Sequence, residues 1–209
     1  MKNILVIGGT GYIGFHLLKK LSNYKVSLSS ISLHPLKKKR KIKNVTYFIC
    51  DYRIKSRLKN IDKNFDYIIN AGGYFYSNKK LNLKENYNHH YTGLRNITDH
   101  FSSKNIKKFL HLGSSIEYGS GSKLFKETAK CKPSTDYGKI KLMCTKYLIG
   151  LYKKDKYPIC VVRLSSIYGG LQKKGLIFNL LKFIKNKSKE KFIIDYKLLD
   201  FCHIDDIVY

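Results

Sequence analysis

The sequence predicts an α/β protein whose parallel sheet is covered by helices on both faces, a doubly wound arrangement. Short apolar runs rich in β-branched residues alternate with helical patterns along the 209 residues. A glycine-rich segment follows the first of these runs directly. Strands are predicted at residues 4–7, 26–31, 45–49, 67–70, 109–112 and 159–164, and helices at 12–22, 94–102 and 137–151. A polar, irregular stretch at 77–88 is expected on the surface, and the three prolines mark no domain break within 1–209.

The charge balance is strongly basic, with 41 lysines and arginines against 14 acidic residues and a net charge of +27. Such a charge fits a nucleic-acid or anionic-membrane partner. Five of the cations are arginine and the rest lysine, whereas phosphate-binding surfaces favour the planar fork of arginine. Tyrosine is also abundant and tryptophan is absent, so the lysine excess is interpreted as compositional drift. A nucleic-acid partner is therefore not expected.

Several features together predict a cytoplasmic protein without a membrane partner. No apolar run approaches the ~20 residues that a bilayer span requires, and the apolar start is too short for a signal peptide. The cysteines form no CxxC pair and are odd in number, which indicates reduced thiols, with neither a disulfide framework nor a zinc site. They are Cys50, Cys131, Cys144, Cys160 and Cys202.

The glycine-rich segment has the pattern GxxGxxG between a predicted strand and a predicted helix. Gly8 allows the tight turn, Gly11 lets the backbone approach a pyrophosphate, and Gly14 lets the helix pack closely on the sheet. The N-terminus of that helix, with Tyr12 and Ile13, faces the anion. The pattern alone could be a simple turn, but its position after the first strand favours dinucleotide binding and a Rossmann-like fold.

The end of the second strand should distinguish NAD from NADP, because a carboxylate there binds the ribose hydroxyls of NAD. The sequence offers Ser30 and no acid, and the basic run at 37–41 could attract a 2′-phosphate. NADP is therefore slightly favoured over NAD. Asp51, after the third strand, is a candidate for hydrogen bonding to the adenine, with an ordinary turn cap as the alternative.

Tyr137 and Lys141 form a YxxxK pair, which places both side chains on one helix face. A protonated lysine beside a phenol lowers the pKa of the tyrosine, so the phenolate can accept a proton during hydride transfer. The spacing alone means little, because about three such pairs arise by chance in this composition and Tyr76/Lys80 and Tyr152/Lys156 share it. The setting of Tyr137 is distinctive: a helix-start signal at 133–136 precedes it, and Ser114 ends the predicted strand upstream.

Further motifs extend the pattern along the whole chain. They are the glycine loop, Asp51, Asn70-Ala71-Gly72, Gly93 with Asn96, Ser114-Ser115 before Tyr118-Gly119, Tyr137/Lys141, Val162-Arg163-Leu164, Tyr168-Gly169 and the segment Asp200 to Asp206. Together they resemble an extended short-chain dehydrogenase/reductase of the NAD-dependent epimerase/dehydratase family, which acts on nucleotide sugars.

The resemblance implies a role for each matching residue. Ser114 is the catalytic hydroxyl, Tyr137 the catalytic acid and base, and Lys141 the group that lowers the pKa of Tyr137 and binds the nicotinamide ribose. Ala71 and Gly72 join the cofactor-binding residues, Ser115 and Ser166 line the substrate site, and no metal is involved.

The implied reaction is epimerisation or ketoreduction of a nucleotide sugar. Family dehydratases carry an Asp-Glu pair directly after the catalytic hydroxyl, where this chain has Ser115 and Ile116, with Glu117 one place too late. Dehydration is therefore disfavoured. The alternative is a catalytically impaired or truncated dinucleotide-fold protein that binds RNA or an acidic partner through its lysines.

The sequence departs from the family pattern at several positions. His90 replaces an asparagine, Ser166 replaces the substrate-binding asparagine, and Leu199, near Lys197, replaces a diphosphate-binding arginine. His89, His111 and His203 are expected to be packed or surface residues. From the resemblance, we expect the carboxyl-terminal substrate-binding portion to be largely missing from these 209 residues, so a fragment and a naturally short protein are both open, and so is a homodimer.

Overall fold

The computed structural model describes residues 1–36, 40–73, 82–101, 106–121, 124–173, 175–186 and 199–209. Its main sheet has six parallel strands in the order β3-β2-β1-β4-β5-β6, and a two-stranded parallel sheet pairs β7 with β8. The strands are β1 Lys2–Ile7, β2 Val26–Ser32, β3 Val45–Ile49, β4 Tyr67–Asn70, β5 Lys108–Ser114, β6 Ile159–Leu164, β7 Ser166–Tyr168 and β8 Phe201–His203. This confirms the predicted doubly wound parallel sheet. The strand order reverses between β1 and β4, which opens a crevice at their carboxyl ends.

Helices connect and cover these strands. They are α1 Tyr12–Leu21, α2 Leu83–Tyr87, α3 Gly93–His100, α4 Asp136–Asp155, α5 Leu176–Lys185 and α6 Ile204–Val208, with 3₁₀ turns at Lys55–Asn60 and Ser115–Glu117 and a π turn at Asn88–Thr92. The helix predicted to end at residue 151 continues to Asp155, and Lys156 ends it in a left-handed conformation. None of the helices within the described ranges is long and apolar enough to span a membrane.

The hydrophobic core lies on both faces of the main sheet. Alternating side chains of β1 divide between two clusters, with Leu5 and Ile7 on one face and Ile4 and Val6 on the other. The first cluster includes residues of α3 and α4, and the second includes Leu18 of α1. Burial on both faces explains why this strand is a continuous apolar run rather than an alternating one.

Two stretches with distinctive sequence, at 77–88 and 37–41, are described only in part. Residues 77–81 of the stretch predicted as irregular lie outside the described residues. Residues 82–88 are described, and they contain α2 rather than a coil. Asn82 begins this helix with a capping box, because its side chain accepts from the Glu85 N–H while the Glu85 carboxylate accepts from the Asn82 N–H. In the basic run, residues 37–39 lie outside the described ranges.

Candidate active site

The glycine loop joins β1 to α1 in a turn that only small residues fit. Gly8 has φ +80°, and its N–H donates to the Ile31 carbonyl at 2.7 Å. A Cβ on Gly14 would overlap the Gly8 carbonyl oxygen, so this glycine lets α1 begin close against the loop. Gly8 thus has the turn conformation that was predicted, while the close approach at Gly14 is to the loop itself. The role of either glycine toward a cofactor stays a prediction.

The start of α1 is suited to an anion. Gly11 is the N-cap and provides no side-chain cap, and the first turn, including Tyr12 and Ile13, contains no acidic residue. Its first N–H groups carry the positive end of the helix dipole, with no side chain of this turn competing for an anion. The Tyr12 hydroxyl points elsewhere and donates to the Gly169 carbonyl at 2.7 Å, which joins α1 to the turn after β7.

β2 ends at Ser32, one residue beyond the predicted end at 31 and two residues past Ser30. Ser30 is fully buried beneath Gly9, where an added Cβ would overlap its hydroxyl. The residue at the end of the strand is Ser32, whose Oγ accepts from the Thr10 N–H at 3.2 Å. Both serines therefore lie against the loop and are buried, Ser30 at Gly9 and Ser32 at Thr10. Ser32, which ends the strand, also lacks a carboxylate.

Arg40 also reaches the glycine loop, which the sequence did not single out within the basic run. Its Nη1 donates to the Thr10 carbonyl at 3.1 Å, and its guanidinium lies 5.7 Å from the centre of the Phe15 ring. Arg40 and Ser32 thus bind the same loop residue, Arg40 at the carbonyl and Ser32 at the N–H of Thr10.

Asp51 follows β3 and is bound by Arg53 on both carboxylate oxygens, with distances of 2.8 Å from Nε and 2.7 Å from Nη2. It also accepts from the Arg53 backbone N–H at 3.1 Å, as a turn cap does. The hydrogen bonds from Arg53 hold the pKa of Asp51 below its usual value. Its role toward adenine stays a prediction.

The end of β4 closes the other side of the loop. The Ala71 N–H donates to the Ile7 carbonyl at 3.0 Å, and the Gly72 N–H donates to Oδ1 of Asn70 at 3.0 Å. A Cβ on Gly8 would lie 2.8 Å from the Ala71 carbonyl oxygen. Ala71 and Gly72 are thus brought against the glycine loop.

Ser114 is the last residue of β5 and the N-cap of the following 3₁₀ turn. Its Oγ accepts from the Ile116 N–H at 3.4 Å, and its own N–H donates to Oε1 of Glu117 at 2.9 Å. Ser115 and Ile116 form the turn, in which Ile116 is exposed and Glu117 is fully buried.

Tyr137 and Lys141 lie in the first turns of α4. The predicted helix start is confirmed, because Thr135 is the N-cap and its hydroxyl accepts from the Gly138 N–H at 3.1 Å. Lys141 is buried, and its Nζ donates to the Leu112 carbonyl at 2.6 Å. The start of α4 is therefore bound to β5 two residues before Ser114.

The protonation of this pair differs from the sequence-based expectation. Burial, followed by the charge of Glu117, raises the pKa of Tyr137 to about 12, although Lys141 was expected to lower it. The ammonium group of Lys141 is directed to the Leu112 carbonyl, and burial lowers its own pKa. In this geometry the phenol keeps its proton.

Two histidines lie behind the pair. The His90 ring meets the Tyr137 ring edge-on, with the centroids 5.3 Å apart, so the asparagine-to-histidine change borders the predicted catalytic tyrosine. His111 is buried, as predicted for a packed residue, and its Nδ1 lies 3.2 Å from Nδ2 of Asn70.

The predicted substrate residue Ser166 begins β7, where its N–H donates to the Asp200 carbonyl at 3.0 Å and its side chain is exposed. Leu199 is half exposed, and Lys197 lies outside the described residues. No cluster of His, Cys, Asp or Glu in the described part of the chain could hold a metal ion.

A glycine loop between the first strand and first helix, at the switch point of a parallel sheet, is the arrangement of dinucleotide-dependent enzymes with this doubly wound fold. The chain belongs to the NAD-dependent epimerase/dehydratase family, whose model matches residues 4–209. This agrees with the resemblance drawn from the motifs.

The chain is similar to several characterised proteins. ADP-L-glycero-D-manno-heptose-6-epimerase of Brachyspira hyodysenteriae is 30% identical over 236 residues, which cover 98% of this chain and 69% of that protein. UDP-glucose 4-epimerase of Thermotoga maritima, solved with UDP-glucose, has a TM-score of 0.87 at 20% identity and covers 99% of this chain and 71% of its own. UDP-glucuronic acid 4-epimerase of Bacillus cereus, solved with NAD, has a TM-score of 0.83 at 19% identity, covering 99% and 69%. At these identities the solved structures show the shared fold.

Proposed function

We propose that this protein is an NAD(P)-dependent epimerase or ketoreductase of a nucleotide sugar, with Ser114, Tyr137 and Lys141 as its catalytic set. The observation that carries the proposal is the docking of the start of α4 on the end of β5. Lys141 is bound to the Leu112 carbonyl at 2.6 Å, and a Cβ added to Gly138 would lie 3.1 Å from the Ile116 carbonyl oxygen. The residues on either side of Ser114 are thereby packed against the turn of α4 that carries Tyr137.

Each member of the set has a distinct task. When bound, the cofactor supplies a nicotinamide ring that accepts or returns a hydride. Ser114 donates a hydrogen bond to the reacting sugar oxygen, and Tyr137 takes or returns the proton of that oxygen. Because burial favours the neutral phenol, Tyr137 can give its proton in the reduction direction as it stands. In the oxidation direction it must first release that proton to water, and we expect the Lys141 ammonium to turn from the Leu112 carbonyl toward the phenolate so formed, which then takes the proton of the sugar oxygen.

Elimination of water is disfavoured by the three residues after Ser114. Ser115 and Ile116 stand where a dehydratase has its acidic pair, and the Glu117 carboxylate is fully buried and bound to Arg163 at 2.9 Å. A carboxylate held in this way is not available as a second acid–base group in the crevice. Epimerisation and ketoreduction need only the Ser/Tyr/Lys set.

Replacement of the tyrosine tests the proposal. Purified protein is incubated with NAD⁺ or NADPH and with UDP-glucose, UDP-galactose, UDP-glucuronic acid or an ADP-heptose, and the sugars are resolved by NMR. Tyr137→Phe should reduce turnover by about 10²–10⁴-fold, the usual contribution of an acid–base group, with calorimetric cofactor affinity nearly unchanged. Tyr152→Phe is the matched control, because Tyr152 lies on the same helix and has the same spacing to a lysine, the C-cap Lys156, but is 52% exposed. Full activity of Tyr137→Phe would reject the proposed catalytic role.

The two reactions differ in how they use the cofactor. An epimerase returns the hydride to the same sugar and needs only catalytic amounts of cofactor, whereas a reductase consumes one NADPH for each product formed. Measuring NADPH absorbance alongside product formation separates the two.

Ser32 and Arg40 support a preference for NADP. Neither repels a 2′-phosphate, and Arg40 is held beside the loop by its bond to Thr10. Arg40→Ala should weaken NADP⁺ binding more than NAD⁺ binding, while Ser32→Asp should reverse the preference. Lys41→Ala, an exposed neighbour in the same basic run, is the control for non-specific charge. Equal loss of NADP⁺ affinity in Arg40→Ala and Lys41→Ala would contradict this assignment.

A further inference from the structure

Glu117 is a fully buried carboxylate at the end of the 3₁₀ turn after Ser114. It accepts three hydrogen bonds: Oε1 accepts from the Ser114 N–H at 2.9 Å, and Oε2 accepts from Thr145 Oγ1 at 2.8 Å and Arg163 Nε at 2.9 Å. A buried charge is costly unless it is paired and fully hydrogen-bonded, and here it is both.

The three donors belong to three different elements of the site. Ser114 ends β5, Thr145 lies on α4, and Arg163 lies on β6. Tyr137, Lys141 and Thr145 are spaced four residues apart on α4, so they lie along one face of that helix. The carboxylate therefore joins the strand end that carries the predicted catalytic hydroxyl to the helix face that carries the predicted acid–base pair.

We propose that Glu117 is a positioning residue, which fixes the Ser114 backbone relative to the Tyr137 and Lys141 face of α4 and sets the charge environment of that pair. The proposal rests on the proposed function for its kinetic consequences, because only that function assigns roles to Ser114 and Tyr137. Glu117 acts through these residues and does not itself enter the crevice.

If Glu117 served only to stabilise the fold through an ion pair, Arg163 would be a sufficient partner for it. Arg163 has further partners in the Tyr118 hydroxyl at 3.0 Å and the Glu127 carbonyl at 3.3 Å. Glu117, in contrast, uses its other oxygen for the Ser114 N–H, next to the predicted catalytic hydroxyl. The bond to the Ser114 N–H also belongs to the capping box of the 3₁₀ turn. A local cap does not require the second bond, by which the same carboxylate accepts from Thr145 of α4.

The charge of Glu117 also acts on the pair. It contributes to the raised pKa of Tyr137, after burial, and it opposes the lowering of the Lys141 pKa by burial. Other groups that face the pair are the Cys144 thiol on the same helix and two histidines, His90 from the π turn and His111 from β5. Arg163 lies on the far side of Glu117, where it balances the carboxylate.

Two variants test the proposal. Glu117→Gln keeps an oxygen for the Ser114 N–H but removes the charge, while Thr145→Val removes only the bond to α4. With the sugar nucleotides and cofactors named above, each should lower kcat by about tenfold, the effect of a misplacement worth about 1.4 kcal/mol. The KM for the sugar should change little, because the contact is not made with the sugar. Thr98→Val is the matched control, since Thr98 is equally buried and bonds Tyr147 of α4 at 2.8 Å without touching Glu117.

The charge effect has a readout that does not depend on turnover. Protein labelled with [¹³Cζ]tyrosine is titrated by NMR, and the Tyr137 resonance is identified by its loss in Tyr137→Phe. Glu117→Gln should ionise Tyr137 at a lower pH, by about half a unit or more, because a nearby negative charge has been removed. The pH profile of kcat should move in the same direction.

Each outcome decides a different question. An unchanged kcat and an unchanged Tyr137 titration in Glu117→Gln would overturn the proposal, and so would an equal loss of kcat in Thr98→Val and Thr145→Val. If Glu117→Gln does not fold, Thr145→Val decides the positioning role. If the wild type turns over none of the sugars, the proposed function fails, while the NMR titration still accepts or rejects the effect of Glu117 on Tyr137.

Discussion

The burial of His111 should make the stability of this protein depend on pH. His111 is 2% exposed, and its Nδ1 faces the amide nitrogen of Asn70, whose oxygen already accepts from the Gly72 N–H. Asn70 therefore donates to the ring, which is neutral with its proton on Nε2. Burial, followed by the charge of Lys141, holds the pKa of His111 well below 6.5.

The magnitude follows from the difference in bound protons. In the unfolded chain His111 gains a proton below its ordinary pKa of 6.5, whereas in the folded protein it stays neutral. The contribution is fully present above pH 6.5 and is lost as the pH falls, by about 1.4 kcal/mol for each unit. Between pH 7 and pH 5 this single residue should reduce the free energy of unfolding by about 2 kcal/mol.

The assay is urea unfolding followed by circular dichroism at pH 7, 6 and 5. His111→Gln keeps an oxygen that can accept from Asn70 but cannot titrate, so its stability should fall by about 2 kcal/mol less over this range than that of the wild type. His34→Gln, which removes an exposed histidine, is the control and should follow the wild type. Equal pH slopes for the wild type and His111→Gln would refute the reasoning.

Two glycines and one tyrosine give further predictions. Gly14→Ala should abolish cofactor binding in calorimetry, because the new Cβ overlaps the Gly8 carbonyl oxygen; retained affinity would disprove the tight packing. Gly150→Ala, within α4 and with no atom within 4 Å of the new Cβ, should instead raise the free energy of unfolding by about 0.5–1 kcal/mol in urea, and a loss would contradict this. Tyr157→Phe should cost about 1–3 kcal/mol, because its hydroxyl donates to the buried Phe101 carbonyl at 3.1 Å; an unchanged urea midpoint would show that the bond contributes nothing.

The elements that the sequence predicted best are those that local pattern determines. The glycine spacing, the apolar runs and the helix-start signal before Tyr137 depend on neighbours within a few residues, and each agrees with the structure. The strand predicted at 26–31 extends one residue further, to Ser32. Serines occupy four of its seven positions, so the hydrophobic pattern does not show which of them ends the strand.

The features that the sequence missed depend on residues far apart in the chain. Glu117 was noted only as displaced from a dehydratase position, because its partners Thr145 and Arg163 lie 28 and 46 residues away. The expected effect of Lys141 on Tyr137 was not found, since the lysine has a competing acceptor in β5 that helical spacing alone does not reveal. The residue types at these positions were read correctly from the sequence, but the direction of the Lys141 side chain was not.

The hydrogen bond from the Tyr12 hydroxyl to the Gly169 carbonyl connects the helix after the glycine loop with the two-stranded sheet. It runs from the first turn of the cofactor helix to the turn after β7, the strand that contains Ser166. If a ligand bound at one end alters this bond and so changes the affinity for a ligand at the other end, the second ligand must change the affinity for the first by the same factor. Binding of one ligand in the dinucleotide crevice would then change the affinity for a second ligand near β7. The sum of the two binding free energies would be the same whichever ligand binds first.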